Sequence, residues 1–103
     1  MNFANLFSNS PEQRTFSPGE TIITEGKPNH EMFVILNGEA EVSIGGHPVA
    51  ILGEGEPLGE MSLIDASKAC ATVQAKSKVT AVPINESRFK FLAQKHPTFA
   101  VGV

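Results

Sequence analysis

Turn signals interrupt the chain so often between Arg14 and Ile84 that only short strands fit between them. Ser17-Pro18-Gly19-Glu20 places Pro and then Gly at the central positions of a type II turn. Glu25-Gly26-Lys27-Pro28-Asn29 ends the β-rich run Thr21-Ile22-Ile23-Thr24. Asn37-Gly38 is a strong hairpin signal, placed between Met32-Phe33-Val34-Ile35-Leu36 and a return strand from Glu39 to Ile44. That return strand alternates, so Ala40, Val42 and Ile44 are expected inward and Glu39, Glu41 and Ser43 toward water. Gly45-Gly46 then turns into Pro48–Leu52. Ala69–Ala75 and Val79–Ile84 read as another antiparallel pair around Lys76-Ser77-Lys78. The pattern predicts a mainly β protein, an antiparallel β-roll of the jelly-roll type with short flanking helices.

Three segments suggest helix. Phe3, Leu6 and Phe7 have i, i+3, i+4 spacing, which predicts a turn or two over residues 2–8 before Pro11. Asn85 suits an N-cap, Ile84 and Phe89 suit its hydrophobic staple, and Phe89, Leu92 and Ala93 give the helix an apolar face. Pro97 limits its end, and the apolar tail Thr98–Val103 reads as a second helix begun and cut off. The expectation is a single domain over 1–103 whose C-terminal lid or dimerisation helix is incomplete, as in a fragment of a longer protein.

Composition removes several function classes. The chain has 103 residues, enough for one core, and a formal net charge of −3 with no basic stripe, which argues against direct binding to nucleic acid. A lone Cys70 excludes an internal disulfide and fits a reducing cytoplasm. The longest strongly apolar run, Met32–Leu36, suits a buried strand and is too short for a membrane span. Paired catalytic carboxylates, a Ser-His-Asp order and a Walker loop are absent from the sequence, so an enzyme is not expected. His30, His47 and His96 lack metal-ligand spacing, and no metal or cofactor is expected.

One stretch carries chemistry. In Glu56-Pro57-Leu58-Gly59-Glu60-Met61-Ser62-Leu63 a glycine turn delivers a carboxylate to the first turn of a short helix, and Ala71-Thr72-Val73 follows. Free N–H groups at a helix start attract an anion, and a neighbouring carboxylate can accept hydrogen bonds from sugar hydroxyls. Both together suit a phosphorylated sugar. Each residue also has a plainer account. Glu60 complements a helix dipole whatever the ligand, Gly55 and Gly59 are turn glycines, and Lys68 reads as a solvated loop lysine. Cys70 reads as a small buried hydrophobe in a strand. Glu54, Glu56 and Glu60 could suggest a cation site, but Pro57 and the glycines fit a turn better.

Pro18-Gly19-Glu20, Glu25-Gly26, Val34-Ile35-Leu36-Asn37-Gly38-Glu39 and Gly59-Glu60-Met61-Ser62-Leu63 occur in an order that resembles the cyclic-nucleotide-binding domains. These include catabolite-activator-like regulators and the regulatory subunits of cyclic-nucleotide-dependent kinases, and the likeness runs from about Phe16 to Pro97. It implies a cassette that holds cyclic AMP or cyclic GMP. Glu60 would accept from the ribose 2′-hydroxyl, the amides of Gly59, Glu60, Met61 and Ser62 would hold the phosphate, and Ala71 would add a backbone N–H beside Thr72. Ala40, Val49, Leu52 and Leu58 would form the pocket wall. It further implies terminal helices that relay binding to an attached effector domain, or that form a homodimer, beyond the C-terminus.

The cassette departs from that family at one place. Lys68-Ala69-Cys70-Ala71-Thr72-Val73 puts Ala69 where the family carries the arginine that pairs with the phosphate, and Cys70 where a small or hydroxylated residue is usual. A charged hydrogen-bonded pair contributes about 1.5–3 kcal/mol, so its loss weakens binding roughly 10- to 150-fold. Lys68 could substitute in part as a point charge, provided it lies in the loop before the strand. Three readings stay open: a weak cyclic-nucleotide sensor, a sensor for a related small anion, which the altered clamp would permit, and a degenerate β-roll that binds no nucleotide and serves dimerisation or protein interaction.

Overall fold

The computed structural model describes residues 7, 9–59 and 68–95. The expected N-terminal turn, the helix at 59–63 beyond Gly59, the side chain of Ala93 and the tail after Lys95 lie outside the described residues. Among the described residues, eight strands and one helix follow in order. They are β1 (Arg14–Phe16), β2 (Thr21–Ile23), β3 (Glu31–Asn37), β4 (Ala40–Ile44), β5 (His47–Leu52), β6 (Pro57–Leu58), β7 (Thr72–Ala75), β8 (Val79–Asn85) and α1 (Glu86–Lys95). They form two four-stranded sheets, ordered β1-β8-β3-β6 and β2-β7-β4-β5, with every pairing antiparallel. This is the antiparallel β-roll that the sequence predicts.

The cores follow from side-chain parity. Phe33 and Ile35 of β3 point between the sheets, where they meet Phe16, Ile23, Ala40, Leu58, Val73 and Val79. Met32 and Val34 point the other way, onto a second cluster with Val82, Ile84, Phe89 and Leu92. Helix α1 therefore covers the outer face of the first sheet, and β3 is buried on both sides, which is why its sequence is apolar without alternation. Full burial of such a side chain contributes about 1.5–3 kcal/mol.

Several local predictions hold. Gly19 has φ +87° and Glu20 N–H donates to the Ser17 carbonyl at 2.9 Å, closing the turn after β1. Gly45 and Gly46, at φ +58° and +85°, join β4 to β5 as a two-residue hairpin loop. Asn85 caps α1: its Oδ1 accepts from Arg88 N–H at 2.8 Å, and Ile84 and Phe89 are buried in one cluster.

Two expected hairpins are different structures. Asn37-Gly38 does not fold β3 back onto β4. β3 pairs with β8 and β6, whereas β4 pairs with β5 and β7. Likewise β7 and β8, on either side of Lys76-Ser77-Lys78, belong to opposite sheets. Both segments are corners that carry the chain between sheets, and the two corners bind each other. Glu39 O accepts from Lys76 N–H at 2.9 Å and from Ser77 N–H at 3.3 Å, and Glu39 N–H donates to Ser77 Oγ at 3.0 Å. The expected alternation along β4 also weakens toward its end: Ala40 is buried, Val42 is half-buried, and Ile44 is exposed because the hairpin runs past the core.

Candidate functional site

A cleft of about 170 Å³ opens on the second sheet. Its walls come from Ile23 of β2, Val42 of β4, Leu52 of β5, Pro57 and Leu58 of β6, and Val73 of β7. Gly59 borders it on one side and the run Ala69, Cys70, Ala71 on another. The lining side chains are apolar except for the Cys70 thiol, and none of those described is cationic. The floor can therefore take the apolar face of a ring, while hydrogen bonding falls to backbone groups at the rim.

Gly59 stands at the end of β6 with φ +78°, a conformation that glycine adopts readily. A side chain here would require two neighbouring side chains to shift. A Cβ here would lie 2.7 Å from Ile23 Cδ1 and 2.8 Å from Asn29 Nδ2. The Asn29 side-chain amide donates to the Gly59 carbonyl at 3.4 Å. Glu60, Met61 and Ser62, expected to hold ribose and phosphate, lie outside the described residues.

The other rim is held by the loop after β2. Gly26 N–H donates to the Ala69 carbonyl at 2.8 Å, and Ala69 N–H donates to the Lys27 carbonyl at 3.0 Å. Pro28 and Lys68 form an isolated bridge beside them. Lys68 is exposed and precedes β7, which is the placement that its proposed role as a point charge requires. Ala69 is 7% exposed, so an arginine here would have to extend from a buried Cα. Thr72 Oγ1 accepts from Glu25 N–H at 3.0 Å and ties the loop to β7.

Some expected site residues sit elsewhere. Leu52, Leu58, Ala69, Cys70 and Ala71 line the cleft. Cys70 is exposed and outside any strand, contrary to its reading as a buried strand residue, because β7 begins only at Thr72. Ala40 is fully buried in the core between the sheets. Val49 is 57% exposed and stands outside the cleft. The pairing of β4 with β5 passes from Val42↔Ala50 to Ser43↔Pro48, so Val49 is the residue skipped at a bulge. Ile23, Pro57 and Val73 were not anticipated, and neither was the part played by residues 25–29. Val42 carried a usable signal, since the alternation of β4 already pointed it inward. Glu56 behaves as a turn residue, its Oε1 accepting from Gly53 N–H at 3.1 Å. Among the described residues no group of acidic, histidine or cysteine side chains could hold a metal ion.

The fold is an antiparallel β-roll with a cleft between a glycine turn and the start of β7, and comparison with known proteins places it in a family. The family model of the cyclic nucleotide-binding domain matches residues 13–96, and this chain belongs to that family. It is 32% identical over 85 residues to the cAMP-dependent protein kinase regulatory subunit of Hypocrea atroviridis, covering 82% of this chain and 18% of that protein. It is 31% identical over 80 residues to the cGMP-dependent protein kinase of Toxoplasma gondii, covering 78% and 8%. The chain thus spans less than a fifth of the length of these curated relatives.

Among solved structures, the cAMP-bound PfPKA-R (141–441) superposes with a TM-score of 0.78 at 25% identity, covering 82% of this chain and 30% of that one. The regulatory subunit of a cAMP-independent protein kinase A from Trypanosoma brucei gives 0.74 at 26% identity, covering 78% and 30%. A triple variant of that subunit, with one threonine changed to arginine among its substitutions, is bound to cAMP in its A site and gives 0.72 at 26% identity, covering 78% and 31%.

Proposed function

We propose that this chain is a non-enzymatic, cytoplasmic sensor module that binds a cyclic mononucleotide weakly at the cleft between Gly59 and Thr72. The observation that carries the reading is the convergence of Gly59 and the Ala69–Ala71 run on one apolar cleft. The purine would lie against Leu52, Leu58 and Val73. Glu60 would accept from the ribose, and the amides of Gly59 to Ser62 would face the phosphate. No metal or cofactor takes part. Capture of ligand would bias an attached effector or a second copy of the chain, through a difference in affinity between two arrangements.

Weak binding follows from Ala69. The phosphate would be met by backbone donors and the distant Lys68 charge rather than by a guanidinium fork. The Trypanosoma brucei relative supports this direction. That subunit belongs to a cAMP-independent kinase, and its variant carrying a new arginine together with two changes to alanine is bound to cAMP. The same alanine favours a second reading, in which the β-roll binds no nucleotide and serves dimerisation or protein interaction.

Titration of the chain with cyclic AMP and cyclic GMP separates the two. The sensor reading expects amide shifts at Gly59 to Ser62 and an unfolding temperature that climbs with ligand concentration. No response at millimolar concentrations of either nucleotide would overturn it and leave the scaffold reading.

A further inference from the structure

The loop between β2 and β3 touches both Gly59 and Ala69. At one end its backbone grips Ala69 through Gly26 N–H and the Lys27 carbonyl, at 2.8 and 3.0 Å. At the other, Asn29 Nδ2 donates to the Gly59 carbonyl at 3.4 Å and would stand 2.8 Å from a Cβ at Gly59. Glu25 anchors the loop itself. Its N–H donates to Thr72 Oγ1, and its Oε1 accepts from Gly45 N–H in the β4–β5 loop, both at 3.0 Å.

We infer that Asn29 is a positioning residue for the nucleotide cassette: it fixes the Gly59 peptide while the backbone of the same loop fixes Ala69, so one connection sets the separation of the cassette's two ends. The ligand part of this inference rests on the reading of the cleft as a cyclic-nucleotide site. In a trans peptide the C=O and the following N–H point in opposite directions. A donor that holds the Gly59 carbonyl therefore orients the whole peptide plane that begins there. A misdirected plane would present the phosphate with a poorly aligned donor, and hydrogen bonds weaken steeply with angle.

The test uses the isotope-labelled chain with and without the substitution Ala69→Arg. Asn29→Ala is expected to move the Gly59 carbonyl carbon resonance upfield in ligand-free protein, the direction for loss of a hydrogen bond. It is also expected to weaken cyclic AMP binding by about 2- to 10-fold, with the thermal midpoint little changed. Asn29→Asp keeps the size but removes the donor, and is expected to reproduce both effects. An unmoved Gly59 carbonyl overturns the inference whether or not any nucleotide binds. A lowered midpoint with unchanged affinity, in a form that does bind, also overturns it, because Asn29 would then serve stability alone. If neither background binds cyclic AMP and the carbonyl still moves, the proposed ligand falls while the hold on Gly59 stands.

Discussion

Gly38 and Lys78 meet backbone to backbone: a Cβ on Gly38 would overlap the Lys78 carbonyl oxygen. With Gly38 at φ +95°, the corner leaving β3 nests into the corner leaving β7, and the Glu39 hydrogen bonds to residues 76 and 77 close the contact. Comparing this glycine with Gly46 isolates the contact. Gly46 has φ +85° but open space where a Cβ would go. Gly46→Ala is expected to cost about 1 kcal/mol from its backbone conformation. Gly38→Ala adds overpacking against a main chain and is expected to cost about 3 kcal/mol or more. Urea unfolding midpoints of the two variants check the difference.

Gly59→Ala meets side-chain ends at the cleft, not a main chain, so its cost comes mainly from the backbone conformation. Ile23 Cδ1 and Asn29 Nδ2 occupy the space a methyl group needs, at 2.7 and 2.8 Å, and φ is +78°. A loss of about 2 kcal/mol in stability is expected, together with loss of any nucleotide-induced thermal shift. Calorimetry with and without ligand reads both.

Ala69→Arg should tighten cyclic-nucleotide binding by about 10- to 100-fold. The gain should shrink as sodium chloride is raised, because the added attraction is ionic. Isothermal titration at two salt concentrations measures it. A flat affinity would place the phosphate away from residue 69.

Asn85→Ala removes the acceptor for Arg88 N–H and should destabilise by about 1 kcal/mol. For a domain of this size that lowers the unfolding midpoint by roughly 4–8 °C. Asn85→Ser, which keeps a capping oxygen, should recover most of it.

Arg14 and Glu31 form a 3.0 Å ion pair on the first sheet, with side chains 46% and 37% exposed. That exposure keeps the pair well hydrated, so a double-mutant cycle should return a coupling below about 1 kcal/mol. Arg14→Ala alone should cost more than the coupling, since its guanidinium also lies 5.4 Å from the Phe33 ring centroid.

Local chemistry was legible and long-range pairing was not. The turn at Gly19, the Gly45-Gly46 hairpin and the Asn85 cap depend on neighbouring residues alone, and each is where its residues put it. Asn37-Gly38 carries the same local signal whether the chain returns within its sheet or crosses to the other. The crossing is decided by Lys76–Lys78, some forty residues away. At the site, Leu52 and Leu58 line the cleft as the family likeness implies, but Val49 lies three residues from Leu52, so strand alternation already sets the two on opposite faces, and Val49 shares its exposed side with Ile51. Cys70 differs because the strand expected from Ala69 begins only at Thr72, which leaves the thiol in an exposed bend. The Asn29 contact had no sequence signal, since a turn asparagine is adequately explained by the turn.

The strand order has a kinetic consequence. Each sheet joins strands from the two ends of the chain, β1 with β8 and β2 with β7. Neither half can assemble without the other, so loops must close before any sheet is complete, and the folding rate should be slow for the chain's size and set by topology. A cut in the middle would leave two peptides that gain structure only when mixed.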